Sequence, residues 1–191
     1  MKNRNAPPPI QALLASLVLW LALPFNSWAE QVELETDLGK IVIELYSDKA
    51  PVTTANFLKY VDSHFYDGTI FHRVIANFVV QGGGLRYDFT QKETNDPIVN
   101  ESSNGLLNRR GTLSMARYSD PDSATSQFFI NLKDNTNLDP KANKAGYTVF
   151  GEVIQGMAVV EAIVAEPQGL YRNYPNAPNA PVRILKAKRL P

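Results

Sequence analysis

At 191 residues, 44% of them hydrophobic and 20% charged, the chain can bury one substantial core, which excludes global disorder. Lys plus Arg and Asp plus Glu both number 19, so the basic excess expected of a protein that lives on nucleic-acid backbone is missing. There is no cysteine and there are only two histidines, His64 and His72. Disulfides, thiolate metal sites, a cysteine nucleophile, a cysteine-anchored lipid and a histidine-rich metal centre are therefore excluded.

The first thirty residues form a separate object. Lys2 and Arg4 are the only charges before Glu30, and an apolar run from Ile10 to Leu23 follows them, broken only by Gln11 and Ser16. That run is shorter than the ~20 residues a membrane-spanning helix needs. Pro24 comes next, then Ser27-Trp28-Ala29, with small residues at the two positions a signal peptidase reads. The pattern is that of a secretory signal peptide on residues 1–29, cleaved after Ala29; the competing reading is an uncleaved membrane anchor. Processing would leave residues 30–191 as one domain of net charge −2, working outside the cytoplasm.

From Val32 onward the chain reads mainly as strands. Val32-Glu33-Leu34-Glu35-Thr36 alternates apolar and polar, Asp37-Leu38-Gly39 is a turn signal, and Ile41, Ile43 and Leu45 continue a hairpin. Pro51 suits a first helical turn, and Val52, Ala55, Leu58 and Val61, with Phe57 beside them, predict a short amphipathic helix. Strand-like runs return at 71–75, 78–81, 112–116, 127–131 and 148–153. Between them, the polar stretch from Asp88 to Arg110 exceeds the usual loop length of about 12–15 residues. It is either a functional loop or a surface excursion without chemistry. Met157, Val160 and Val164, flanked by Ile163, predict a second helix ended by Pro167. Residues 167–181 read as a loop rich in Pro, Asn and Tyr, and 182–188 as a last alternating strand. Many short strands with few helices point to a barrel or a sandwich.

Few side chains offer reactive chemistry. No G-x-S-x-G nucleophile elbow is present. His72 sits between Phe71 and Arg73 in a strand, where a lone histidine is more often a hydrogen-bonded structural residue than a reactive one. His64 falls in a helix-exit turn and should be exposed. Gly82-Gly83-Gly84 is followed by neither Gly-Lys-Ser/Thr nor the last glycine of G-x-G-x-x-G, since Tyr87 stands there; turn geometry accounts for these glycines.

What is left is one cation among aromatic residues. Phe71-His72-Arg73-Val74-Ile75, then Phe78, Gln81-Gly82-Gly83, Leu113-Ser114-Met115-Ala116, Ser126-Gln127-Phe128-Phe129-Ile130 and Val149-Phe150-Gly151 occur in this order. Together they resemble the signature of the cyclophilins, which are peptidyl-prolyl cis-trans isomerases. The resemblance runs from about Val32 to about Leu190. The stretch from Met115 to Gln127 and the amino-terminal leader are most similar to the bacterial, periplasmic branch.

The resemblance implies a mainly β fold, a closed eight-stranded antiparallel barrel capped by two α-helices, with the active groove outside the barrel. It implies that Arg73 is the catalytic arginine. Phe78, Val79, Phe129 and Leu138 match the wall of the proline pocket, Gln81 and Gln127 match polar groove residues, and Tyr147 matches a further binding position. The backbone at Arg117 matches the segment that pairs with substrate main chain. Val79 stands where methionine is common, giving a slightly roomier pocket; Arg117 replaces a common asparagine, Asn137 an aromatic, and Tyr147 a histidine. Asn137 argues against strong binding of the cyclic peptide drug cyclosporin. The implied partners are proline-containing unfolded or exported polypeptides, met by a monomer in the periplasm with no nucleic acid, no metal and no cofactor. The alternative is a non-catalytic groove that only holds proline segments, and the retention of Arg73, Gln81 and Phe129 favours the enzyme.

Overall fold

A computed structural model describes residues 30–171 and 174–191; the expected signal peptide lies outside the described residues. The elements are β1 (Gln31–Thr36), β2 (Gly39–Leu45), α1 (Pro51–Asp62), β3 (Thr69–Ile75), β4 (Val79–Arg86), β5 (Thr112–Met115), β6 (Phe128–Asn131) and β7 (Val149–Gln155), then α2 (Met157–Ala165), β8 (Gln168–Tyr171), β9 (Tyr174–Pro178) and β10 (Ile184–Arg189). Eight strands form one antiparallel sheet in the order β10-β1-β2-β7-β5-β6-β4-β3. Its two edges meet: Ile70 bridges Arg183, the Phe71 N–H donates to the Val182 carbonyl at 3.0 Å, and the Gly68 N–H donates to the Ile184 carbonyl at 2.8 Å. The sheet is thus a nearly closed barrel, and rolling it up removes the exposed edges that invite aggregation.

The alternation seen in the sequence is what fills the barrel. Val32, Leu34, Ile41, Ile43, Leu113, Phe128, Ile130 and Ile184 point inward and are fully buried. The helices sit at opposite ends of the β1–β2 hairpin. Val159 of α2 lies against Gly39 in the hairpin turn, while α1 follows the far end of β2, with the Ala50 N–H bonded to the Tyr46 carbonyl. Both feed the same core, α1 through Phe57, Leu58 and Val61, α2 through Val160 and Ile163. Phe57 packs against Tyr66, Phe128 and Phe150 with ring centroids 5.2, 5.6 and 5.2 Å apart. Helical spacing identified only part of the α1 face: Leu58 and Val61 are buried, but Val52 is 40% exposed and Ala55 is exposed. Thr53 and Thr54 go inside instead, because their hydroxyls are satisfied there by Glu101 and by the Ala50 carbonyl.

The long stretch from Asp88 to Arg110 is a working part of the scaffold. Ala50 gives α1 no side-chain cap. Glu101 supplies one from 48 residues away, accepting from the Val52 N–H at 3.0 Å, the Thr53 N–H at 2.8 Å and the Thr53 hydroxyl at 2.7 Å. A carboxylate at that end also complements the helix dipole.

Two sequence expectations are corrected. Residues 167–181 contain a two-stranded hairpin, β8–β9. Pro and Asn hid it, because its strands hold no alternation of their own; Tyr174 and Ala177 instead cover the outer face of the barrel, against Ile70, Leu85 and Phe89. The three glycines 82–84 lie inside β4, and turn geometry is not their reason. A Cβ at Gly82 would meet the Phe71 ring at 2.8 Å, and one at Gly83, whose φ is +82°, would meet Phe128 at 2.8 Å and Tyr66 at 2.9 Å. Aromatic rings packed on the strand leave no room for a side chain.

The pairing of β3 with β4 skips a residue: Phe71 faces Gly82, but Arg73 faces Gln81, so His72 is the extra residue of a bulge. His64 is exposed, as expected, and its Nδ1 is 3.3 Å from an Asp67 carboxylate oxygen. His72 is 3% exposed and packs edge-on to Tyr174 at 5.7 Å. It is structural, as expected, but its Nδ1 finds no partner of good hydrogen-bond geometry. Burial pulls its pKa down to about 4.

Replacing Glu101 with Ala should lower stability by about 1–3 kcal/mol, since it strips a cap and leaves the Thr53 hydroxyl unpaired; urea unfolding reads this, and Glu101→Gln should lose less. His72 adds a pH dependence. Its neutral form is favoured in the folded state, so the unfolded chain takes up the extra proton first as pH falls below about 6.5. Stability contributed by His72 is complete above that pH and falls away as pH drops to about 4. The loss reaches at most about 3 kcal/mol. Unfolding free energy measured from pH 7 to 4 should therefore be flatter in His72→Gln than in the wild type.

Candidate active site

Side chains that alternate inward on β4 and β6 leave their neighbours facing out. Val80 is in the core while Val79 and Gln81 flank it on the outer surface; Phe128 and Ile130 are in the core while Phe129 faces out. On β3, Phe71 and Val74 both belong to the core, which strict alternation forbids. The His72 bulge resolves this by shifting parity, and it turns Arg73 outward beside Gln81. Gln81 in turn pairs with Phe129 across β4 and β6, so Arg73, Gln81 and Phe129 form one row over three strands.

This row lines a cavity of about 340 Å³ together with Phe78, Val79, Ala116, Arg117, Leu138 and Tyr147. The polar side is a relay: Arg73 Nη1 donates to Gln81 Oε1 at 3.2 Å, and Gln81 Nε2 donates to Gln127 Oε1 at 2.9 Å. The glutamines fix where the guanidinium sits, and its Cζ is 5.9 Å from the Phe78 ring centroid. Partial burial pulls the Arg73 pKa down and nearby Tyr147 opposes this, but a guanidinium stays charged at any physiological pH. The apolar side is Phe129, 4% exposed, with Tyr147 edge-on to it at 5.6 Å.

Both walls are braced from behind. Asn135 Nδ2 donates to the Phe78 carbonyl at 2.9 Å, and Asn131 Oδ1 accepts from the same Nδ2 at 2.8 Å. Asn108, from the long loop, ties the Leu138–Tyr147 side: its N–H donates to Asp139 Oδ1 at 2.7 Å, and its Oδ1 accepts from the Ser114 hydroxyl at 2.8 Å. Arg117 closes the rim. Its guanidinium lies 4.6 Å over the Tyr147 ring and donates to the carbonyls of Gly146 at 3.3 Å, Tyr118 at 2.9 Å and Ala145 at 2.9 Å.

Eight of the nine residues singled out from the sequence line this one cavity: Arg73, Phe78, Val79, Gln81, Arg117, Phe129, Leu138 and Tyr147. Gln127 lines a smaller polar cavity next to it, about 80 Å³, shared with Gln81, Gln91, Ala116, Arg117, Tyr118, Ser123 and Thr125. Asn137 is exposed and does not line the pocket. Sequence reasoning missed Ala116, although it ends the Leu113–Ala116 motif, and it missed Gln91, which no local pattern marks. It also missed the Arg117 side chain, having assigned that position to main-chain contacts. A wider, open depression of about 610 Å³ flanks α1, but the arginine there, Arg189, is already paired with Asp62 and Glu30.

A fixed cation beside an apolar cavity, with no serine–histidine pair on its walls, suits chemistry that needs charge and shape rather than a covalent intermediate. Known proteins similar to this chain bear names that fit such chemistry. A family model described as cyclophilin type peptidyl-prolyl cis-trans isomerase matches residues 31–189. The chain is 55% identical over 157 residues to a peptidyl-prolyl cis-trans isomerase of Acinetobacter baylyi, covering 82% of this chain and 84% of that protein. It is 49% identical over 182 residues to peptidyl-prolyl cis-trans isomerase A of Dickeya dadantii, covering 92% and 96%. A crystal structure of a Cryptosporidium parvum cyclophilin type isomerase, determined in the presence of the dipeptide Ala-Pro, superposes with a TM-score of 0.72 at 28% identity, over 84% of this chain and 99% of that one. With the barrel, the outward Arg73 and a match over nearly all described residues, the chain belongs to the cyclophilin type peptidyl-prolyl cis-trans isomerase family.

Proposed function

We infer that this protein catalyses cis-trans isomerisation of Xaa-Pro peptide bonds, and that it does so on exported polypeptides outside the cytoplasmic membrane. The observation that carries the catalytic reading is the Arg73 guanidinium, held by Gln81 at the polar edge of a cavity walled by Phe78, Val79, Leu138 and Phe129. The Ala-Pro dipeptide used with the Cryptosporidium parvum relative is the kind of ligand such a cavity fits. The export reading rests on the leader pattern of residues 1–29.

The uncatalysed barrier comes from amide resonance and is about 18–20 kcal/mol. Cis and trans Xaa-Pro forms differ by only about 0.5–1 kcal/mol, so the bond needs a lower barrier and no driving force. Twisting destroys the resonance and returns a lone pair to the imide nitrogen. A guanidinium against that nitrogen interacts with the twisted state more strongly than with either planar one, which is the condition for catalysis. One charge-assisted hydrogen bond supplies roughly 1.5–3 kcal/mol, or one to two powers of ten in rate. The apolar wall grips the proline ring while Gln81, Gln127 and the chain at Arg117 hold the flanking peptide, so that rotation is confined to one bond. The relay also prepares the cation: Gln81 orients Arg73 before substrate arrives, so little reorganisation accompanies the twist.

Replacing Arg73 with Ala should lower kcat/KM for an Xaa-Pro peptide by ten- to a hundredfold or more. The thermal unfolding midpoint should move little, because the side chain borders a solvated groove. Arg73→Lys should also lose most activity, since an ammonium does not reproduce the planar fork. Normal folding with wild-type turnover in both variants would overturn the catalytic assignment. For the export reading, the amino terminus of protein recovered from cells should be Glu30; an intact Met1 in a membrane fraction would contradict it.

A further inference from the structure

We propose that the groove prefers proline segments bearing an acidic side chain next to the proline, and that the Arg117 guanidinium sets this preference. The inference rests on the isomerase reading and adds a substrate class to it. Arg73 and Arg117 stand on different walls of one cavity, from β3 and from the chain just past β5, and no carboxylate lines either that cavity or the smaller one beside it. Three arginines outside the groove are neutralised: Arg110 by Glu161, Arg183 by Asp37, and Arg189 by Asp62 and Glu30. Neither groove arginine takes part in an ion pair among the described residues. The acids closest to Arg117 in the chain are turned to backbone: Asp120 accepts from the Asp122 N–H and Asp122 from the Asn100 N–H. In a chain with equal numbers of acids and bases, the groove is a local positive excess.

The two cations have different work. Arg73 is placed for the imide nitrogen by Gln81. Arg117 lines both cavities, so its charge lies where the residue adjoining the proline must pass. It is held by carbonyl oxygens and by the face of Tyr147, none of which carries a full negative charge. Its position is therefore fixed while its charge is left for a ligand. A cation already ordered spends no rotamer entropy on binding. Half-buried between protein walls, it is also screened less than a lysine on open surface. A glutamate or aspartate on the substrate gains this attraction and a lysine meets repulsion.

The test uses blocked peptides with one proline and Glu, Gln or Lys at each of the two positions before and after it. Affinity is read by NMR titration and isomerisation by exchange spectroscopy, on the mature chain, Arg117→Gln and Arg117→Lys. At one of these positions Glu should bind at least about threefold more tightly than Lys, with Gln between. The ratio should shrink in about 0.5 M NaCl. It should fall towards one in Arg117→Gln and persist in part in Arg117→Lys, whatever the absolute rates. Equal affinity for all three in the wild type, or a Glu preference unchanged in Arg117→Gln, would overturn the proposal. If Arg117→Gln does not fold, the wild-type ratio and its salt dependence decide. Absence of isomerisation for every peptide would instead strike the isomerase reading, with the binding ratio still reporting on Arg117.

Discussion

A strand has two faces, and in a closed barrel one of them is always core. Every residue of β3, β4 and β6 is therefore committed either to packing or to the outer surface, and the groove can use only what the core does not take. On β3 the His72 bulge breaks this constraint, so that Phe71 and Val74 both point inward. Without the extra residue, Arg73 would share the face of Phe71 and lie in the core, where a charge is costly. The outward position of Arg73 thus depends on a backbone irregularity one residue before it. The irregularity is held in turn by packing: Tyr174 of β9 lies edge-on to His72 and the imidazole stays neutral in the resulting apolar cover.

That dependence links elements distant in sequence. None of the described residues of β8–β9 lines the pocket, yet Tyr174 and Ala177 cover Ile70 on the strand that carries Arg73. The long loop acts in the same manner on the opposite wall. Glu101 anchors it to α1, and Asn108 carries its far end to Asp139 and Ser114 behind Leu138 and Tyr147. A rigid scaffold with the functional side chains on its outer surface is what preorganised electrostatic catalysis needs, because the field must be in place before the bond twists.

The groove is also asymmetric. One side is a hydrogen-bonded row, Arg73–Gln81–Gln127, and the other is aromatic, Phe129–Tyr147, with Arg117 lying over Tyr147 at the rim. A ring in the cavity would be gripped by the second side while its imide nitrogen faced the first. Arginine at the rim takes five donors to a place where only carbonyls and an aromatic face receive them, a set that an asparagine could satisfy only in part.

Eight strands, two helices and eight of the nine residues that line the pocket are legible in the sequence. Alternation at Val32 to Leu45 states which face is buried, and the family resemblance carried by the ordered motifs from Phe71 to Gly151 implies the groove residues. Those signals are local, since periodicity and contiguous motifs act over a few residues. The remaining features arise from contacts between segments brought together by folding. Glycines 82 and 83 are small because rings from Phe71, Tyr66 and Phe128 arrive against them, and Gly84 because the Gln127 side chain does. Thr53 is buried because Glu101 reaches it, and β8–β9 exists because Ile70, Leu85 and Phe89 offer a surface to cover. Arg117 braces Tyr147 because the carbonyls of Ala145 and Gly146, almost thirty residues onward, come within reach. In each case the partner lies far along the chain, where neither propensity nor spacing carries information, and the interaction comes into being only when the barrel closes.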